Sequence, residues 1–340
     1  MNTTYFMVQS TMIEIAKQKG ALLTPTAFQA ALIAEFGDVD QLCQEVRYWD
    51  LQFQPLTVMP EKRRVAYLVQ GTCGHFELSY ARFRQNLDQR GAPPAGKLTF
   101  TIPGPTLRSL WWCGKETASN DVLVYYPGNE WRSISDKDFE VYLISIPLAD
   151  FASYSARCGM PDADPRLLQT VFMAPQSLLA QAQTVLFPLL MPAPYFDTLK
   201  LDGLVEDLIG CWLAQTGLKP RKAEPHKSKL AISKILEKID AGETHHLNIP
   251  ELCAGMGLSR RALEIAFKEK FGVGPAAFVK SWKMAQSRRL LMQADPQKIS
   301  VADVMAEHGF VHVGQFATDY KRWFQELPSE TLSRSPIGSL

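Results

Sequence analysis

The period of the apolar positions changes along the chain, and each change marks a different kind of element. Two stretches near the start, Val8 to Lys19 and Thr24 to Phe36, carry apolar residues at helical spacing. The second opens on Thr24-Pro25, a cap followed by a proline suited to a first helical turn. From about Tyr48 to Ile146 the period drops to two. Phe76, Leu78 and Tyr80 alternate with polar neighbours; so do Leu98, Phe100 and Ile102, then Val122, Val124 and Tyr126, then Phe139, Val141 and Leu143. Pro103-Gly104-Pro105 and Pro127-Gly128-Asn129 punctuate the runs. Many short strands at such spacing predict a β-sandwich or barrel. Helical spacing returns over about 148–216, where Leu201, Leu204, Val205, Leu208 and Trp212 form one stripe. That stripe either packs on its own domain or pairs with a second copy. "GLKPRKAEPHKSK", residues 217–229, has two prolines and many charges and reads as a linker.

Beyond the linker the pattern repeats. "NIPELCAGMGLS" (Asn248–Ser259) leads to Leu263, Phe267 and Phe271; "SVADVMAEHGFV" (Ser300–Val311) leads to Phe316, Tyr320 and Phe324. Ile249 and Val301, Leu252 and Val304, and Gly257 and Gly309 each lie 52 residues apart. Phe267 and Tyr320 lie 53 apart, so the second turn is one residue longer. Each copy reads as helix, tight turn, helix. Asn248 and Ser300 can cap the first helix, Ser259 the second helix of copy one, and each glycine sits where a left-handed turn residue is wanted. This is the shape of a helix-turn-helix, whose second helix can enter the DNA major groove. Between the copies, Pro275 to Ala294 reads as one helix stopped by Asp295-Pro296. It would be roughly 30 Å long, close to the about 34 Å of one DNA turn. It could therefore set two reading helices in successive grooves, with Lys280, Lys283, Arg288 and Arg289 as phosphate candidates.

At this point "GLSRRALEIAFKEKFGVGP" and "GFVHVGQFATDYKRWFQELP" resemble the paired signatures of the AraC/XylS family of bacterial transcription regulators. The likeness covers about residues 227–334. The run around Gln315 to Tyr320 is especially similar to the family's ethanolamine-operon-regulator branch. The resemblance implies two helix-turn-helix modules joined by a helix, DNA binding and cytoplasmic residence. It implies an α+β chain: a β-rich, cupin-like sandwich or barrel in front of an all-α domain. The expected division is a regulatory and dimerisation domain over 1–216, with its β-rich core at about 48–147 and helices at about 148–216. The linker follows at 217–229 and the DNA-binding domain at 230–335. The chain departs from the family pattern at Lys283 (usually Arg), Ser287 and Met305 (usually Ala) and Glu326 (usually Gly). Ile265 and Val313 stand where relatives often present polar base-reading groups.

The reading faces follow from helical spacing. In copy one, Ser259, Arg260, Arg261, Glu264, Ile265 and Lys268 are the candidate DNA contacts. Arg261 suits guanine O6 and N7, and Glu264 suits cytosine N4; the competing reading is a solvated face paired by charge. In copy two the candidates are His312, Val313, Gly314, Gln315, Thr318, Lys321 and Arg322. Gln315 suits adenine, Val313 a thymine methyl, and Lys321 and Arg322 phosphate.

Charge adds to this picture. The formal net charge of the 340 residues is only +1, yet from His226 onward there are 16 Lys and Arg against 12 Asp and Glu. The basic end faces an acidic partner, double-stranded DNA. The six cysteines are scattered without a C-x-x-C, which fits a reduced compartment. No apolar run approaches about 18 residues, so no membrane partner is expected. His75 is the only histidine before the linker, so no metal is expected; no G-x-S-x-G, P-loop or Rossmann fingerprint appears, so no other cofactor and no catalytic residue is expected. Trp111, Trp112, Tyr125, Tyr126 and Trp131 either form core or line an apolar pocket for a small-molecule effector. A homodimer is expected, and RNA polymerase is a partner if the chain activates. The rival readings are an enzyme with a β-barrel catalytic domain and a DNA-binding tail, and a DNA-tethered protein-interaction scaffold.

Overall fold

The strands that the alternation predicts do form. A computed structural model describes residues 25–58, 64–105, 109–113, 115–215, 227–242 and 249–334. A seven-stranded antiparallel sheet contains β2 (Gln29–Phe36), β4 (Ala66–Cys73), β5 (Phe76–Phe83), β7 (Lys97–Pro103), β10 (Asp121–Tyr125), β12 (Phe139–Pro147) and β13 (Val171–Met173). Its spatial order is β13-β10-β7-β12-β5-β4-β2. A five-stranded sheet, β3-β6-β11-β8-β9, is built from β3 (Asp50–Pro55), β6 (Leu87–Ala92), β8 (Ser109–Trp112), β9 (Lys115–Ala118) and β11 (Trp131–Ser135). A further pair joins β1 (Pro25–Ala27) to β14 (Tyr195–Asp197).

The two large sheets face each other over one apolar layer that includes Leu68, Phe83, Leu123 and Phe139 from the first, and Phe53, Leu87, Leu110 and Trp112 from the second. The other face of the seven-stranded sheet is also covered. Leu78, Phe100, Val124 and Ile144 pack with residues of α2 (Phe151–Arg157), α3 (Gln176–Leu186) and α4 (Thr198–Leu213). Strands buried on both faces lose the polar half of their alternation, and β12 is buried at seven of its nine positions. Leu201, Leu204, Val205, Leu208 and Trp212 lie inside this same cluster. The stripe on α4 is therefore covered by its own domain.

Three sequence expectations are corrected. Thr24 to Phe36 is not a helix: from Pro25 on it forms β1 and β2, and β2 pairs antiparallel with β4. Leu32 and Phe36 are four apart, which fits a helix, but Leu32, Ala34 and Phe36 also alternate, and pairing with β4 decides in favour of the strand. The β-rich region accordingly starts at residue 25 and not near 48. The stretch after residue 148 is not purely helical, because β13 extends the large sheet and β14 pairs with β1. The helix expected over Val8 to Lys19, the cap at Asn248 and most of the linker lie outside the described residues.

The sandwich also carries a helix, α1 (Val39–Glu45), capped by Asp38, whose Oδ1 accepts from Asp40 N and Gln41 N. C-terminal to the linker stand seven helices among the described residues: α5 (Lys227–Asp240), α6 (Ile249–Gly255), α7 (Arg260–Phe271), α8 (Pro275–Gln293), α9 (Val301–Glu307), α10 (Val313–Phe324) and α11 (Pro328–Ser333). They enclose two cores. Leu263, Phe267, Phe271 and Phe278 pack with α5 and reach Leu56, Trp111 and Ile134 of the sandwich. Met284, Leu291, Val304, Phe316 and Tyr320 form the second.

Candidate nucleic-acid interface

The two copies of the repeat fold into the same turn. After α6, Gly257 takes φ 57° and Leu258 N donates to Cys253 O at 2.9 Å. After α9, Gly309 takes φ 71° and Phe310 N donates to Met305 O at 3.0 Å. Both closing bonds span five residues, and both glycines occupy the left-handed region that side chains with a Cβ disfavour. Ser259 caps α7 through Ala262 N at 3.1 Å. Ser300 and Asp303 form a reciprocal capping box at the start of α9. Each second helix is then held by aromatics. Phe267, Phe271 and Phe278 stack within 5.8 Å of one another; Phe316, Tyr320 and Phe324 follow one another at 5.7 and 4.7 Å.

The opposite faces point to solvent. On α7, Arg260, Arg261, Ile265 and Lys268 are exposed, with Ile265 at 46%. Ser259 is exposed but its hydroxyl serves the cap. Glu264 is turned aside: it lies 3.8 Å from Lys268 Nζ, and a Cβ on Gly274 would come within 2.2 Å of its Oε1. Its carboxylate thus packs over the start of α8 and is less free to meet a base than spacing implied. On α10, His312, Val313, Gly314, Gln315, Thr318, Lys321 and Arg322 are all exposed. His312 occupies the cap position without capping through its ring. Gln315 Nε2 donates to Asp319 Oδ2 at 3.0 Å, and Thr318 Oγ1 donates to Gly314 O at 2.9 Å. Gln315 is therefore already oriented, whereas Thr318 has spent its donor on the backbone. Val311, 80% exposed in the turn before α10, was missed by sequence reasoning. An apolar residue in a turn gives no periodic signal.

The joining helix α8 spans 19 residues, or about 28 Å. Its cations are placed differently from the sequence expectation. Lys280 Nζ is paired with Asp319 at 2.6 Å, and burial lowers the pKa of Lys283. Arg288 and Arg289 turn away from solvent into the sandwich. Arg288 Nη1 lies 2.7 Å from both Asp38 Oδ2 and Asp40 Oδ2, and Arg289 Nη2 donates to Phe53 O at 3.4 Å. In this arrangement neither arginine is a phosphate contact. The other anchor is Arg132, which bonds both Asp88 and Asp240 of α5.

Inside the sandwich lies a cavity of about 60 Å³. Trp49, Tyr125 and Trp131 line it, with Leu42 and Val46 of α1 and Phe53 of β3. Of the five aromatics singled out from the sequence, Tyr125 and Trp131 line the cavity and Trp112 packs against both, with centroids 4.8 to 5.5 Å apart. Trp111 points the other way, into the core of the first module, and Tyr126 packs on the helical side of the large sheet. Trp49 completes the group at 5.0 Å from Tyr125; lying between elements, it carried no pattern. The lining holds no ionisable group except the Tyr125 phenol, whose pKa burial pushes up. Among the described residues no cluster of His, Cys, Asp and Glu could hold a metal.

Residues 252–334 match the family model described as a helix-turn-helix domain. Over 119 residues the chain is 31% identical to the "Probable thc operon regulatory protein" of Rhodococcus erythropolis, covering 35% of each. Over 106 residues it is 26% identical to the XylDLEGF operon transcriptional activator of Pseudomonas putida, covering 31% of this chain and 33% of that one. The C-terminal domain belongs to the AraC/XylS family. A solved structure from Rhodopseudomonas palustris CGA009, titled a probable AraC family transcriptional regulator, is 34% identical over 32% of this chain and 99% of its own, with a TM-score of 0.29. The chain spans about a third of the length of the curated relatives it matches. The AraC-type likeness thus covers the paired modules and their joining helix.

Proposed function

We propose that the protein is a sequence-specific transcription regulator that reads two successive major grooves, one with each helix-turn-helix module. The observation that carries this reading is the pair of equivalent turns at Gly257 and Gly309, each followed by a helix with a solvent-exposed face, on either side of the one joining helix α8. Arg261 and Gln315 are the base readers, Val311 and Val313 apolar contacts to thymine methyl groups, and Lys268, Lys321 and Arg322 phosphate contacts. Ser259 and Gly314 bring backbone amides close to phosphate. Cytoplasmic residence, a homodimer joined through the N-terminal domains, and contact with RNA polymerase when the site favours activation all belong to this reading.

The sandwich senses. Its cavity suits a small uncharged molecule with apolar bulk, because the lining offers aromatic faces and no counter-charge. Trp131 lines the cavity, and its buried indole N–H has no acceptor among the described residues, so the molecule carries one acceptor group. Genome-wide footprinting of the bound DNA tests the regulator reading and identifies the genes beside its sites. Affinity should fall steeply with salt. A flat salt response and no discrete footprints would set the reading aside.

A further inference from the structure

Gln315 and Asp319 form a pair on α10 that the first module lacks. Gln315 Nε2 donates to Asp319 Oδ2 at 3.0 Å, about one helical turn further on. The same oxygen accepts from Lys280 Nζ of α8 at 2.6 Å. The carboxylate is therefore held from two helices at once. It is also set back: its side chain is 14% exposed, while Gln315 stands at the surface. The equivalent positions of α7, 53 residues earlier, are Ala262 and Ala266. That module closes the same turn over its own aromatic core without such a pair. The fold does not require it.

The pair constrains what Gln315 can offer a base. A free glutamine amide carries two N–H donors at one end and a carbonyl acceptor at the other, and its last torsion is soft and roughly two-fold. It can turn both N–H groups toward guanine O6 and N7, or one N–H and the carbonyl toward adenine. With one N–H committed to Asp319, one N–H and Oε1 remain. That set matches adenine, whose N7 accepts and whose N6 donates, and it cannot give guanine two donors. Asp319 itself is no backbone contact, because a carboxylate repels phosphate.

We propose that Asp319 is a positioning residue: with Lys280 it holds the Gln315 amide in one orientation, so that the second module prefers adenine to guanine at the base Gln315 meets. The adenine preference rests on Gln315 being a base reader; the clamp on its amide does not.

Two measurements on the full-length protein test this role. With isotope-labelled glutamine, the Gln315 side-chain amide signal, identified by its loss in Q315A, should shift in D319A. An unmoved signal overturns the clamp. The second measurement is fluorescence anisotropy on the footprinted site and on duplexes altered at the base pair that Q315A ceases to discriminate. The native protein should favour adenine over guanine there by about tenfold, and D319A by about threefold or less. D319A should bind random DNA as tightly as the native protein or more so, since a negative charge has gone. In the Q315A background, D319A should leave the base ratio unchanged, because both residues act through one amide. An adenine preference kept in D319A, an equal loss on every duplex, or a further change of ratio in Q315A/D319A would each overturn the positioning role. If Q315A discriminates as the native protein does at every base pair, the base-reading role of Gln315 fails and the adenine preference falls with it, while the amide signal still decides the clamp.

Discussion

Arg132 Nη1 lies 2.7 Å from Asp240 Oδ1, across a separation of 108 residues. The same guanidinium holds both oxygens of Asp88 through Nε and Nη2, at 2.9 and 2.7 Å. Burial opposes its charge, but Asp88 and Asp240 outweigh that and raise its pKa. The two carboxylates differ in surroundings: Asp88 is 1% exposed at the side chain and Asp240 is 44%. Removing the buried partner strands a buried cation, so Asp88→Ala should destabilise by about 3–5 kcal/mol. Asp240→Ala, screened by solvent, should cost about 1 kcal/mol or less. Urea midpoints of the two variants check this order, and equal losses would refute it.

The aromatics of α10 are anchors and its front is a surface. Phe316→Ala opens a cavity in the second core and should cost about 3–5 kcal/mol. Val313→Ala, at a site 55% exposed, should change stability by no more than about 0.5 kcal/mol. Thermal unfolding of both variants separates the two roles.

The paired modules were legible because their signal is local. Glycine positions, caps and four-residue aromatic spacing each determine a conformation within one turn of helix, and Gly257, Ser259, Gly309 and Ser300 all serve as read. The strands from Phe76 onward were legible for the same reason. What failed depends on distant partners. Gln29 to Phe36 becomes a strand because β4 is beside it. Arg288 and Arg289 share the composition of a solvated helix face, and only the docking of α1 and β3, near 240 residues earlier, turns them inward. Glu264 was drawn aside by the room above Gly274, which spacing on its own helix could not reveal.

Base readers and positioning groups should separate in binding. Arg261→Ala and Gln315→Ala should each weaken a cognate site by about 1–3 kcal/mol while barely changing binding to random DNA. Lys321→Ala should weaken both alike and reduce the salt slope by about one. Glu264→Ala should matter less than Arg261→Ala, since its carboxylate is already occupied. Fluorescence anisotropy with cognate and scrambled duplexes measures all four.

Asp319 joins α10 to the joining helix α8 through Lys280. Burial raises its pKa, but hydrogen bonds from Lys280 and Gln315 outweigh that and hold it below the usual 3.8. A depressed carboxylate contributes stability that is fully present above its unfolded pKa and is lost as pH falls through the folded value. The loss should therefore lie below about pH 4. Asp319→Asn should be less stable at neutral pH by about 1 kcal/mol or less and should show a shallower decline below that pH. Denaturant titrations from neutral to acid pH check the crossing.

The central claim is that two modules on one rigid helix read two successive grooves. Hydroxyl-radical footprinting of the full-length protein on its strongest genomic site tests it most directly. The expected result is two protected stretches on one face of the duplex, their centres about 10 base pairs apart. Arg261→Ala should erase one stretch and Gln315→Ala the other. A single protected stretch, or loss of the same stretch in both variants, would contradict the account.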